Sequence, residues 1–408
     1  MNMEKIRKDF PVLEKRINGK PIIYFDNACM SLRPKQVIEA TDEYYFEYPG
    51  CAGRSAHEFG TKVTEKYDEA RKEISKFVVS KRKEEIIFTR NTTEGLNLVF
   101  NSLGLSKGDI IVTTDKEHNS VLVPVQMLKE RKGIQHQIIF SKNDQFDLQK
   151  FQDAMNKKVK LVAMVHSSNI DGTTIPEKEI IKIAHDFGSL VILDAAQSVP
   201  HKEVKVREMD VDFLAFSGHK MLGPSGTGVL FGKYELLEKL NTFLVGGDTV
   251  EFTTYETHKF LKPPEKFEAG LQNYAGAIGL AEAARYLDKV GRKNVEKHEE
   301  ELNKIITEGL QGTNGLQGTE GLRILGPADA KSRGGIFPFV IEGMNVHDVA
   351  LMLNNMNNIM IRSGQHCVHS WFNANKLQGS DRVSLYLYNT REEAEIFVQT
   401  LKEIMKLR

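Results

Sequence analysis

Residues 212–232 read DFLAFSGHKMLGPSGTGVLFG. An apolar run, Phe213–Phe216, passes directly into Ser217-Gly218-His219-Lys220, then into a glycine-rich turn and a second apolar run, Gly228–Phe231. Apolar runs this short, bounded by turn residues, are the pattern of buried strands. In an open α/β sheet, ligands bind beyond the carboxyl ends of the strands, and Lys220 falls there. A lysine at that point is either a solvated loop residue or one that condenses with an aldehyde, and position alone favours the first. Ser217 and His219 beside it are donors suited to phosphate, which strengthens the second.

Outward from this segment, the same alternation recurs. Strands are expected at Lys20–Asp26, Glu85–Thr89, Asp109–Thr113, His136–Phe140, Leu161–Val165 and Leu190–Leu193, with helical spacing over 34–48, 61–79 and from Thr92 to about Ser102. Strands alternating with helices predict an α/β sheet covered on both faces. From residue 275 the character changes. A long helical stretch runs to 310 with a break at Gly291, followed by a small tandem copy, Gly309–Thr313 and Gly315–Thr319, expected as an enlarged loop. Strands at Gly335–Ile341, Ile359–Arg362 and Arg382–Leu387 and a helix from Arg391 complete it. The expected organisation is a large α/β domain over 20–274 and a smaller α+β domain from 1–19 and 275–408, the latter carrying Cys367.

Bulk properties exclude several classes. The 408 residues carry 55 Lys plus Arg and 55 Asp plus Glu, so formal net charge is zero and gives no electrostatic case for nucleic acid or an anionic membrane. Apolar runs such as Leu161–Val165 fall far short of the ~20 residues that span a bilayer. The N-terminal MNMEKIRKDFPVLEK lacks the apolar stretch of a secretory signal. Three scattered cysteines, Cys29, Cys51 and Cys367, make neither a disulfide framework nor a C-x-x-C zinc motif, so a reducing cytoplasm is expected and no metal site.

Three further features carry chemistry. In Val191-Ile192-Leu193-Asp194, an acidic residue ends an apolar strand, where an unpaired carboxylate is costly. A protonated pyridinium nitrogen would be a suitable partner, making the ring an electron sink; capping the next turn is the plain alternative. In Asn91-Thr92-Thr93-Glu94, hydroxyls and free N–H groups begin a helix, which suits a phosphate as well as an ordinary N-cap. In RSGQHCVH (362–369), Cys367 lies between His366 and His369 as a reactive thiol, a metal ligand or a small packing residue. A lysine for an aldehyde, a carboxylate for a ring nitrogen and a helix terminus for a phosphate are together what pyridoxal 5′-phosphate requires.

At this point the chain resembles a known family. FDNACMSLRP, TRNTTEGLNLVF, EHNSVLVP, SSNIDGTTIP, LDAAQSVPH, FSGHKMLGPSGTGVLFGK, FEAG, RSGQHC and RVSLYLYNT occur in the order seen in class V pyridoxal-phosphate enzymes. They are most similar to cysteine desulfurases of the SufS/CsdA type, a group with selenocysteine lyase-like members. The resemblance implies the fold type I transferase architecture, with a large, mixed, mostly parallel sheet and a smaller α+β C-terminal domain. It implies Lys220 as the lysine bound to the cofactor aldehyde, Asp194 at the ring nitrogen, Gln197 at the ring hydroxyl and His118 stacked on the ring as a proton-transfer group. By the same resemblance, Thr92, Thr93, Ser217 and His219 are expected to hold the phosphate, Asn169 to lie near ring and substrate, Arg382 to clamp the substrate carboxylate, and Arg362 and His57 to line the site. Cys367 is expected, on that resemblance, to take sulfur from L-cysteine as a persulfide, leaving alanine. A homodimer and a sulfur-acceptor protein, as in iron–sulfur cluster assembly, are also implied. Selenocysteine lyase, or a class V lyase or aminotransferase on another amino acid, is the alternative.

The family pattern is departed from at four places. Cys29-Met30 stand where Ala-Thr is usual, Leu271-Gln272-Asn273 where Thr-Pro-Asn is usual, and Asp171 where an apolar residue is usual. Residues 49–57 lack an extra histidine before Arg54. All four are expected around the pocket, which leaves the substrate open.

Overall fold

The computed structural model describes residues 2–310 and 320–408. The tandem repeat beyond Leu310 lies outside the described residues. Seven strands form the principal sheet: β1 (Ile86–Thr89), β2 (Ile110–Thr114), β3 (Gln135–Ile139), β4 (Val159–Val165), β5 (Leu190–Asp194), β6 (Phe213–Ser217) and β7 (Gly228–Gly232). Their order is β1-β7-β6-β5-β4-β2-β3. Strands β6-β5-β4-β2-β3 pair in parallel, whereas β7 runs antiparallel to both β1 and β6. The short connection from β6 to β7, through the glycine-rich turn, leaves no room for a crossover helix, so β7 must return antiparallel.

Side chains alternate between two cores, as a period of two requires. Val162, Met164, Val191, Leu193, Leu214 and Phe216 enter one apolar cluster. Leu161, Ala163, Ile192, Phe213, Ala215 and Leu230 enter the other. Strands buried on both faces therefore read as unbroken apolar runs, which is how residues 213–216 announce themselves. Each fully buried large aliphatic side chain contributes about 1.5–3 kcal/mol of transfer free energy. That fixes the strand ends on which polar groups are mounted.

A second, antiparallel sheet consists of β8 (Leu322–Ile324), β9 (Ile336–Ile341), β10 (Arg362–Gly364) and β11 (Ser380–Ser384), in the order β8-β9-β11-β10. Phe337, Phe339 and Val383 pack with Leu302, Ile306, Phe397 and Leu401 from the helices Arg292–Leu310 and Arg391–Met405. The single strand expected over 359–362 is divided. Ile359–Met360 pairs in parallel with Ile23–Tyr24, while β10 joins the four-stranded sheet.

The expected long helix is two helices, Tyr274–Val290 and Arg292–Leu310, separated at Gly291. Its φ of +87° is a backbone conformation that glycine tolerates and other residues resist. The first helix packs Ala277 and Ala281 against Ala70, and Tyr274 and Ile278 beside Tyr48 and Val63. Ile6, Phe10 and Leu13 of the N-terminal segment join the cluster holding Tyr286 and the principal sheet. An exposed hairpin, Val250–Thr253 with His258–Phe260, was not expected from the sequence pattern. Among the described residues, no helix is long and apolar enough to cross a membrane.

Candidate active site

The carboxyl ends of β4, β5 and β6 open onto a cavity of about 240 Å³. Asp194 is the last residue of β5, Ser217 the last of β6, and Lys220 closes the turn that follows. The helix Thr92–Ser102 begins at the rim, and His118 caps the helix Asn119–Lys132. From the smaller sheet come Arg362 and Arg382, which face each other across β10 and β11, and then the loop with His366 and Cys367. Thr92, Thr93, His118, Asn169, Asp194, Gln197, Ser217, His219, Lys220, Arg362, Cys367 and Arg382 all line this one cavity. A larger cavity, about 440 Å³, shares only Gln197 with it and touches neither Lys220 nor Asp194.

Several polar atoms at the cavity wall have no protein partner. Gln197 donates through Nε2 to the Ala28 carbonyl at 2.7 Å, which leaves its buried Oε1 unpaired. Asn169 donates to the His366 carbonyl at 2.8 Å and keeps Oδ1 unpaired. Arg382 donates through Nη1 to the Asn169 carbonyl at 2.9 Å, and its buried Nε has no partner. The hydroxyls of Thr92 and Ser217 pair with each other at 2.6 Å, Ser217 Oγ also accepts from the Thr92 N–H at 2.9 Å, and Thr93 pairs with Ser120 at 2.7 Å. Buried polar groups are almost always satisfied, so a cluster of open valences marks a place for a polar molecule.

Electrostatics narrows its chemistry. Burial pushes the Asp194 carboxyl up, against the pull of the Ala196 N–H at 3.0 Å and of Lys220. A cation placed against it would restore the ionised form. Burial lowers Lys220, which Asp194 only partly counters, so its amine is more readily available as a nucleophile or base. Burial, with Lys220 and Arg382 nearby, brings His118 down to about 4, and the ring is neutral at neutral pH. The Ser120 N–H donates to His118 Nδ1 at 3.1 Å, so the ring proton sits on Nε2. His219 is likewise lowered to about 4, chiefly by burial. A free amine, a buried carboxylate wanting a cation, an open amide oxygen and hydroxyls at a helix N-terminus fit the aldehyde, ring nitrogen, ring hydroxyl and phosphate of pyridoxal 5′-phosphate.

The cysteine loop is fastened from the larger unit. The Cys367 carbonyl accepts from the Asn119 N–H at 2.8 Å, and Asn169 holds the carbonyl before it. His366 and Cys367 both have positive φ, 49° and 59°, a tight reversal that places the exposed thiol at the cavity. The flanking histidines are engaged elsewhere: His366 Nε2 with Ser380 Oγ at 2.9 Å, and His369 Nδ1 with the Asn119 side chain at 2.9 Å. Among the described residues no group of three His, Cys, Asp or Glu is arranged to hold a metal ion.

His57 departs from expectation. It is exposed, lies outside the cavity, and uses Nδ1 to accept from the Gly60 N–H at 3.2 Å at the start of the helix Glu58–Phe77. Of the four departures from the family pattern, only Cys29 lines the cavity. Met30 and Leu271 are exposed, the latter at 71%. Asp171 is buried in an ion pair with Lys116 at 2.5 Å. Sequence reasoning missed Asp26, which lies 3.6 Å from Arg362 and 3.7 Å from Arg382. Two arginines opposite one another on neighbouring strands repel unless a carboxylate is shared, and Asp26 supplies it. It stands in the FDNA segment, but its role depends on two residues more than three hundred positions away. Ser120, which joins Thr93 to His118 at 2.9 Å, was also missed and is legible only as a helix-start serine.

A sheet of this order with a lysine and a carboxylate at adjacent strand ends defines an enzyme that works on amino groups through an aldehyde cofactor. The family described as Aminotransferase class-V matches residues 23–397, and the chain belongs to it. Within that family it groups with the cysteine desulfurases. It is 39% identical to a probable cysteine desulfurase of Halalkalibacterium halodurans over 407 residues, 99% of this chain and 98% of the relative. The apo structure of a cysteine desulfurase from Thermococcus onnurineus NA1 superposes with a TM-score of 0.92 at 40% identity, covering 99% of this chain and 98% of the other. The cysteine desulfurase CsdA of Escherichia coli, solved as an S-sulfonic acid, gives 0.90 at 28% identity over 100% and 99% of the two chains.

Proposed function

We propose that the chain is a pyridoxal-phosphate-dependent cysteine desulfurase, converting L-cysteine to L-alanine and taking the sulfur onto Cys367. The observation that carries this reading is the convergence of Cys367, Lys220, Asp194 and Arg382 on one cavity, drawn from two separate sheets. The cofactor supplies a sink for the electrons released at the substrate α carbon. Lys220, Asp194, Gln197 and the Thr92–Thr93–Ser217–His219 group would hold it. Arg382 binds the substrate carboxylate through the open Nε side of its guanidinium, and Asp26 keeps the arginine in place. Lys220 takes the α proton and returns a proton to the product. His118, neutral with its proton on Nε2, supplies a second proton-transfer group in the cavity.

Cys367 attacks the substrate sulfur as a thiolate. The carbon–sulfur bond breaks, its electron pair stays with the carbon skeleton, and a proton completes alanine; the sulfur remains as Cys367–S–S⁻. An acceptor protein then takes it, for iron–sulfur cluster assembly or another sulfur-requiring step. Exposure of the loop supports delivery to such an acceptor. In this reading the enzyme works in the cytoplasm as a homodimer, a proposal supported by exposed apolar side chains such as Phe46, Val245 and Leu271. The Cys367→Ala variant is expected to lose sulfide release from L-cysteine in the presence of reductant while keeping bound cofactor. Full activity in that variant would overturn the reading, and retention with L-selenocysteine alone would favour a selenocysteine lyase.

A further inference from the structure

Cys29 is the one departure from the family pattern that reaches the cavity, and it shares the wall with Cys367. Cys29 is half-buried, Cys367 is exposed, and both are free thiols. The backbone around Cys29 is fixed: its N–H donates to the Asp26 carbonyl at 3.2 Å, and Ala28 is tied to Ser384 Oγ at 2.9 Å and to Gln197 Nε2 at 2.7 Å. Cys367 is held by Asn119 and Asn169. The wall the two thiols share includes Lys220, Arg382 and Gln197, whereas a cysteine that only packs sits among apolar side chains. Cys51 is exposed and lies outside this cavity. Two thiols on different segments that line one chamber of about 240 Å³, beside Lys220 and Arg382, can serve as a nucleophile and its resolving partner.

Resting on the desulfurase reading, we propose that Cys29 resolves the Cys367 persulfide when no acceptor takes the sulfur, closing a Cys29–Cys367 disulfide and releasing hydrosulfide. The Cys29 thiolate attacks the inner sulfur, Sγ of Cys367. A Cys29 Sγ–Cys367 Sγ bond forms, the bond to the outer sulfur breaks, and hydrosulfide departs with the electron pair. The two cysteines are oxidised and the outer sulfur is reduced, so no external oxidant enters; the proton lost by Cys29 is balanced in solvent. Attack at the inner sulfur expels hydrosulfide in place of an alkyl thiolate, and the less basic leaving group departs faster. The disulfide stops turnover until a thiol reductant reopens it, which ties sulfur mobilisation to the presence of an acceptor or reductant.

The test is a single turnover of the holoenzyme with one equivalent of L-cysteine, without reductant or acceptor, quenched at intervals by alkylation. Alanine, hydrosulfide and the cysteine peptides are measured. In the wild-type protein, hydrosulfide is expected to approach one per alanine, with the Cys29 and Cys367 peptides joined. In Cys29→Ala and Cys29→Ser, hydrosulfide per alanine drops to background and the Cys367 peptide retains the added sulfur. Titration with oxidised glutathione, without substrate, is expected to join the same two peptides in the wild type. Equal hydrosulfide per alanine in all three proteins, or a wild-type persulfide persisting beside an alkylated Cys29, overturns the inference and leaves the desulfurase reading standing. Absence of added sulfur on Cys367 in both Cys29 variants overturns that reading and the inference with it.

Discussion

Arg382 is buried, gives one donor to a backbone carbonyl, and has Nε unpaired. A substrate carboxylate would satisfy that donor, and a hydrogen bond to a charged group contributes about 1.5–3 kcal/mol. Arg382→Lys, which cannot present a planar fork, is therefore expected to raise the KM for L-cysteine by roughly 10- to 100-fold. An unchanged KM would remove the clamp. Next to it, Asp381 is fully buried with neither carboxylate oxygen paired, and burial pushes its pKa up to about 8. The folded state therefore binds a proton that the unfolded chain has already released above its ordinary value of 3.8. Its contribution to stability is lost as pH rises from that value through about 8, because the unfolded state binds fewer protons across this window. Asp381→Asn should flatten that part of the stability profile in chemical unfolding at stepped pH; an unchanged slope would show the carboxyl to be ionised or paired.

At the scale of elements, the loop 167–174 leads from β4 to the helix Glu177–Asp186, carries Asn169, and meets the smaller sheet where the Asn169 carbonyl accepts from Arg382. A Cβ on Gly172 would lie 1.8 Å from the Arg333 carbonyl oxygen, and its φ is +73°, so only glycine fits this contact. Asp171 tightens the same loop: it accepts from the Thr173 N–H at 3.2 Å and pairs with Lys116, which also donates to the Asp144 carbonyl at 2.8 Å. Breaking a buried pair by removing one partner costs about 3–5 kcal/mol, because the remaining charge is stranded. Lys116→Met should lower stability by about that amount, and adding Asp171→Leu should restore most of it. Equal losses in the single and double variants would mean that the pair carries no such coupling. Asp171 is unusual for the family pattern in sequence, yet it is explained by a lysine fifty-five positions away.

This marks what a sequence reveals and what it hides. Residues 213–216 and 228–231 were legible as strands because both faces are buried, and Gly291 was legible as a break between helices. Lys220, Asp194 and the Thr92–Thr93 helix start were legible because each ends or begins an element. The division of residues 359–364 between two sheets was hidden, since strand pattern carries no pairing information. Asp26 between two arginines and Asn119 beneath Cys367 were hidden for the same reason: their partners are distant in sequence. His57 was assigned by resemblance alone and is occupied as a helix cap. We propose that the smaller unit begins at Gly291, because Tyr274–Val290 and the N-terminal Ile6, Phe10 and Leu13 pack with the larger one.

For the whole molecule, the two sheets meet so that the larger one provides Lys220 and Asp194 while the smaller one provides Arg382 and the cysteine loop. The central claim is that sulfur from L-cysteine passes to Cys367 and nowhere else first. The Cys29→Ala holoenzyme, in which no second thiol among the described residues lines the cavity to displace the sulfur, mixed with sulfur-labelled L-cysteine and alkylated before one turnover is complete, tests it most directly. Label on the peptide bearing Cys367, in equal amount to the alanine formed and removable by a thiol reductant, is the predicted result. Alanine formed with Cys367 unlabelled would contradict the account.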